Sequence, residues 1–84
     1  MHSHIFRASV EPDQFPDGGP AFHAWCPALK GCHTWGRTEQ EALARLSEAV
    51  ELYVDDLRAA GDPIPDDPDA GAIRMPSPAV LVNL

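Results

Sequence analysis

Alternation of apolar and polar residues predicts a strand at the start of the chain. Between Ile5 and Val10, apolar side chains at every second position alternate with Arg7 and Ser9, the two-residue period of a half-buried strand. The next ten residues, 11–20, contain three prolines, two glycines and three acids. Such a stretch is longer than a tight hairpin needs, so it predicts a wide, mobile loop.

The same alternation predicts two more strands, over residues 21–26 and 32–37, joined by a turn that starts at Pro27. In the first of them, His23 and Trp25 point away from the apolar face. Three strands with this period predict an antiparallel meander with one covered face.

A long helix is the strongest prediction of the pattern. Thr38 suits the N-cap, and Glu41 three residues later completes a capping box, in which each side chain bonds the other residue's backbone N–H. Gly61 suits the position just past the last turn, which predicts a helix over 39–60. Apolar residues at three- and four-residue steps form one stripe on it: Leu43, Leu46, Val50, Tyr53, Val54 and Leu57.

After the helix, residues 61–78 are rich in proline and aspartate and predict an extended acidic connection. Residues 79–84 are apolar and β-prone, so they must pair with the sheet or with another chain. The predicted fold is therefore α+β in the order β-β-β-α-β. One long helix covers one face of a three- to four-stranded antiparallel sheet, in a single domain over 1–84.

Charge narrows the classes of partner. Among 84 residues, 13 acidic and 6 basic side chains give a net charge of −7, which repels phosphates and attracts a basic protein. No apolar run approaches the roughly 20 residues of a membrane helix, and the first residues lack a signal-peptide core. We therefore expect a cytoplasmic protein that binds neither nucleic acid on its own nor a membrane.

Cysteine and histidine suggest chemistry that their spacing does not support. His23, Cys26, Cys32 and His33 are zinc-type ligands, but they form neither a Cys-x-x-Cys nor a His-x3–5-His pair. Cys32 and His33 are neighbours on a strand and face apart, which is poor geometry for a nucleophile and its base. We predict no metal, no cofactor and no catalytic residue. A small hydrolase or nuclease built on His23 and His33 is the least favoured alternative.

Residues of about 5 to 60 resemble the HicB-like antitoxins of toxin–antitoxin systems. The resemblance lies in the order and spacing of short motifs, each of them weak alone. They are Asp17-Gly18-Gly19, the segment Trp25-Cys26-Pro27-Ala28-Leu29-Lys30-Gly31-Cys32-His33-Thr34, then Gly36-Arg37-Thr38, and Glu41-Ala42 repeated as Glu48-Ala49. Gly36 can take a backbone shape suited to the strand-to-helix corner. Ala42 and Ala49 share one helix face and allow a close approach to the sheet.

The resemblance implies the same β-β-β-α-β domain, assembled as a homodimer or homotetramer. It also implies that the chain masks a HicA-like toxin, a small basic protein that cleaves mRNA. Many HicB proteins continue into a DNA-binding domain, which we expect to be absent here. The alternative is an orphan oligomeric module of the same fold that binds another protein or a ligand.

Five exposed residues are predicted to contact the partner. Acidic side chains suit a basic toxin, and an aromatic side chain on a sheet surface is typical of an interface. The predicted interface residues are Asp13, Asp17, Trp25, Glu48 and Asp55.

Overall fold

The computed structural model describes residues 3–65 and 79–83, and it has the predicted α+β architecture. Its elements are β1 (Ser3–Arg7), β2 (Ser9–Gln14), β3 (Pro20–Trp25), β4 (His33–Gly36), α1 (Glu39–Ala60) and β5 (Ala79–Asn83). Residues 66–78, most of the predicted acidic connection, lie outside the described residues.

Five strands form where four were predicted, because the first predicted strand is divided at Ala8. The buried Ala8 separates β1 from β2. β2, β3 and β4 form an antiparallel sheet in that order, while β1 pairs with β5. That second pairing is antiparallel, from Ser3 opposite Asn83 to Arg7 opposite Ala79. The last strand therefore pairs within its own chain.

The predicted wide loop over 11–20 is wrong. β2 continues to Gln14, which lies opposite Pro20 on β3, so only residues 15–19 connect the two strands. The backbone N–H of Phe15 donates to the carbonyl of Gly19 at 2.9 Å and closes this loop. Pro12 fits within β2 because this strand is at the edge of its sheet, where a missing N–H need not break a ladder bond.

The helix has the predicted bounds and the predicted N-cap. The Glu41 backbone N–H donates to the Thr38 hydroxyl at 3.0 Å. The second half of the predicted capping box is replaced by an ion pair, since the Glu41 carboxylate lies 3.0 Å from the Arg45 guanidinium. Gly61 ends the helix with a positive φ of 74°, as predicted. Within the described part of the chain, no helix combines the length and apolar character needed to cross a membrane.

The core lies between α1 and one face of the strands. It consists of Phe6, Ala8, Ala24, Cys26, Leu29, Cys32, Ala42, Leu46, Val50, Val54 and Val80.

Gly36 sets how closely the helix approaches the sheet. A Cβ added to Gly36 would lie 2.4 Å from the backbone nitrogen of Ala42, far inside contact distance. Positive φ values occur at Gly18, Gly31 and Gly61 but not at Gly36. The expectation that Gly36 supplies an unusual backbone shape is therefore wrong, and its role is to leave space for α1.

Candidate functional site

The face of the β2–β3–β4 sheet turned away from α1 carries an unusual set of side chains. We call it the outer face. Alternate residues of each strand point to it, and the antiparallel register places them side by side, with His23 opposite both Glu11 and Trp35 and with Trp25 opposite His33. Its charged and aromatic members are Glu11, Asp13, His23, Trp25, His33 and Trp35, and the small residues Ser9 and Ala21 lie among them.

Four rings of the outer face pack against one another. The His23 imidazole stacks with Trp25, at 4.9 Å between centroids, and with Trp35, at 4.7 Å. His33 meets Trp35 edge-on at 4.9 Å, and its Nδ1 lies 3.2 Å from Nε2 of His23. Each ring thus limits the rotation of its neighbours, so the cluster offers a partly ordered aromatic surface.

The carboxylate of Asp13 is bound to this cluster. The indole Nε1–H of Trp35 donates to Asp13 Oδ2 at 2.9 Å, and the backbone N–H of Gln14 donates to Oδ1 at 2.8 Å. These two bonds, first that from Trp35, lower the pKa of Asp13 below its ordinary value of 3.8. Glu11 adds a second carboxylate, 3.7 Å from Nδ1 of His23. The outer face is therefore both aromatic and acidic.

Two grooves border the rings within the described residues. One, of about 320 Å³, lies beside Trp25 and is lined also by Pro27, Lys30 and His33. The other, of about 340 Å³, lies beside Trp35 at the β2–β3 hairpin. Both are open to solvent, which suits side chains of a protein partner.

The structure distributes the five predicted interface residues over different surfaces. Asp13 and Trp25 both lie on the outer face but are not neighbours there, since Asp13 is opposite Ala21 and Trp25 is opposite Ser9. Asp17 lies in the hairpin loop, where its Oδ1 accepts the backbone N–H of Gly19 at 2.8 Å, a turn-forming role. Glu48 and Asp55 are exposed on α1, which covers the opposite side of the sheet.

Sequence reasoning selected Trp25 but missed Trp35 as a site residue. The sequence grouped His23 with His33 only as a least favoured hydrolytic or metal-binding set, and not with the two indoles. The available signal was the two-residue spacing of 23 and 25 on one strand and of 33 and 35 on the next. The sequence does not give the strand register across the turn, which places residues 23 and 25 beside residues 35 and 33.

The described residues do not assemble a reactive centre around the cysteines. Cys26 and Cys32 are both buried in the core, and burial raises the pKa of the Cys32 thiol, which reduces its reactivity. Both cysteines line the groove beside Trp25 together with His33, whose side chain is exposed on the outer face. In the parts of the chain described, no three His, Cys, Asp or Glu residues are placed to hold a metal ion.

The chain is similar in sequence to known proteins. It is 44% identical over 61 residues to UPF0150 protein ssr1765 of Synechocystis sp., which covers 73% of this chain and 75% of that protein. A UPF0150 protein of Helicobacter pylori is 38% identical over 55 residues, covering 66% of this chain and 69% of the relative. No family model matches the sequence.

A solved structure has a similar fold. The N-terminal domain of Burkholderia pseudomallei antitoxin HicB superposes with a TM-score of 0.66, at 23% identity, over 95% of this chain and 96% of that domain. The strands and the single long helix follow the same arrangement. The chain therefore belongs to the UPF0150 family, and its fold is that of the N-terminal domain of HicB.

Proposed function

We propose that this chain acts as an antitoxin-type protein that binds and masks a small, basic, HicA-like mRNA-cleaving toxin. The observation that carries the proposal is the structural likeness, over 95% of the chain, to the N-terminal domain of an antitoxin. The expectations of a homodimer or homotetramer, of a cytoplasmic location and of no direct nucleic-acid binding are part of the same proposal.

The outer face supports masking on physical grounds. Trp25 and Trp35 give it the residue type that most often dominates interface energies, and Trp35 keeps 36% of its surface exposed. The ionised Asp13 and the net charge of −7 favour encounter with a basic partner. We therefore place the main contact with the toxin on this face.

A second surface on α1 remains a proposed contact. Glu48, Leu52 and Asp55 follow one another at four- and three-residue steps and so share one side of the helix. Leu52 is 67% exposed, which places an apolar side chain between two acids. Asp17, whose carboxylate serves the hairpin loop, remains a proposed minor contact.

The test is a growth assay with surface variants. A small basic protein with the features of a HicA-like toxin, taken from any reading frame encoded beside this gene, is expressed alone and then together with this chain. We expect growth arrest that the chain relieves, and copurification of the two proteins. Trp25→Ala should weaken the complex by about tenfold or more, because truncating a tryptophan at the centre of an interface commonly costs about 2 kcal/mol.

A matched pair of double variants tests the α1 surface. Glu48→Lys with Asp55→Lys should weaken the complex, whereas Glu51→Lys with Asp56→Lys makes the same charge change at other exposed helix positions and should weaken it less. Equal effects of the two double variants would mean that the acids of α1 attract the toxin at long range but do not contact it directly. Arrest that the unmodified chain does not relieve would overturn the proposed function and favour a module with a different partner.

A further inference from the structure

The groove beside Trp35 has the composition of a site for a cationic side chain. It has a volume of about 340 Å³ and is lined by Asp13, Gln14, Phe15, Pro16 and Trp35. Two aromatic rings and a proline supply apolar walls, and Asp13 supplies one carboxylate. Aromatic faces and carboxylates both attract cations, and an anion would be repelled.

The carboxylate is ordered in the structure of the protein alone. Each of its oxygens already accepts one hydrogen bond, from the Trp35 indole at 2.9 Å and from the Gln14 backbone at 2.8 Å. Both bonds stabilise the charged form, and each oxygen keeps a further lone pair for a partner. A charged group held in place in this way loses little conformational entropy when a ligand arrives.

The chain itself places one guanidinium at this groove. The guanidinium carbon of Arg37 lies 5.8 Å from the centroid of the Phe15 ring, within the range of a cation–π contact. The Phe15 ring is therefore accessible to a planar cation. The Asp13 carboxylate accepts its hydrogen bonds from Trp35 and Gln14, and not from Arg37.

We propose that the groove formed by Asp13, Phe15 and Trp35 binds a single arginine side chain of the partner. The inference deepens the proposed function and rests on it for the identity of that partner. A guanidinium is planar, so it can lie on an aromatic ring while its N–H groups donate to the carboxylate. Lysine offers charge without this planar match, and a neutral side chain offers neither.

The test uses the isolated protein and small probes, so it needs no toxin. The protein is titrated with N-acetyl-arginine amide at constant ionic strength, and the two indole N–H signals are followed by two-dimensional ¹⁵N NMR. We expect the Trp35 signal to shift and saturate with a dissociation constant on the order of millimolar, as suits one weak side-chain contact. The Trp25 signal should shift less.

Four comparisons decide which chemistry the groove recognises. N-acetyl-citrulline amide has nearly the shape of arginine without its charge and should cause no saturable shift, and N-acetyl-lysine amide should bind at least about threefold more weakly. Asp13→Asn should weaken arginine binding by about fivefold or more, while the nearby hairpin variant Asp17→Asn should not. Arg37→Gln removes a competing cation and should leave binding equal or tighter.

Equal shifts with arginine and citrulline, no saturation with arginine, or equal losses in Asp13→Asn and Asp17→Asn would each overturn the arginine site. The signal dispersion of each variant shows directly that it is folded. The result is separable from the antitoxin test. Arginine binding without relief of growth arrest would support the arginine site and contradict the proposed antitoxin function. Relief of growth arrest without arginine binding would support the antitoxin function and overturn the arginine site.

Discussion

The two faces of the β2–β3–β4 sheet are built from the same strands and differ in almost every respect. The inner face carries small residues, such as the fully buried Ala24 and the closely covered Gly36. The outer face carries two tryptophans, two histidines and two acids. The smallest residues of the inner face, Ala24 and Gly36, are those closely covered by the core or by α1, whereas the aromatic rings and acids are on the side turned away from α1. Alternate positions of one strand thus pack against the core and form the candidate binding surface separately.

The contrast predicts that stability and binding should be separable by mutation. Substitutions on the inner face should unfold the protein, and substitutions on the outer face should leave it folded. The following experiments test that separation in order of decreasing expected effect.

Gly36→Ala should have the largest effect on the inner face. The new Cβ would lie within 2.9 Å or less of three backbone atoms of α1, so the helix must move away from the sheet. We expect a loss of about 3–4 kcal/mol in the free energy of unfolding, measured by urea denaturation.

Gly31→Ala is the control for backbone strain. Gly31 has a φ of 80°, but a Cβ there would meet nothing within 4 Å. Its cost should be about 1 kcal/mol, from the left-handed backbone alone. A smaller loss at Gly36 than at Gly31 would mean that close helix approach does not govern the inner face.

Leu46→Ala should have the next largest effect, a loss of about 3 kcal/mol in the free energy of unfolding measured by urea denaturation. Leu46 is fully buried between α1 and the sheet, so its removal leaves a cavity. Leu52→Ala makes the same change on the same helix at a side chain that is 67% exposed, and should stay within about 0.5 kcal/mol. A large effect at Leu52 would indicate that α1 has a second covered side, for instance in an oligomer.

Acid titration should affect the outer face without unfolding the inner one. The bond from Trp35 lowers the pKa of Asp13, so the midpoint should lie below 3.8. The bond's contribution to stability is present above the unfolded pKa of Asp, about 3.9, and is lost as the pH falls through the lower folded value. The Trp35 indole proton shift, followed by NMR, should report this step, and Asp13→Asn should abolish it. The Trp25 indole is the internal control.

Local rules were sufficient for the elements of the fold that depend on neighbours in sequence. The helix ends at Thr38 and Gly61 follow from capping chemistry, and the residues of the apolar stripe follow from the helical period. The prediction of a wide loop over 11–20 is wrong because prolines and glycines favour a loop when they are considered locally, whereas an edge strand accepts a proline such as Pro12. Whether a strand is at an edge depends on the whole sheet, which local patterns do not contain.

The candidate site was only partly predictable for a related reason. Trp25 and Asp13 could be selected as exposed residue types, but the indole-to-carboxylate bond between Trp35 and Asp13 joins residues 22 positions apart. The role of Gly36 was also assigned for the wrong reason, since the close approach of Ala42 is a tertiary contact. Contacts across the sheet need the strand register, which the turns and the packed core set together.

The pairing of β1 with β5 has a consequence for how the protein is made. Residues Ser3 and Asn83 lie opposite each other, so nearly the whole described chain separates the two partners. During synthesis β1 leaves the ribosome well before β5, the strand with which it pairs in the described part of the chain. The β2–β3–β4 sheet and α1 depend on contacts closer in sequence, so we expect them to form first and the β1–β5 pairing to form late. A chain stalled before β5 would expose the edge of β1 to aggregation.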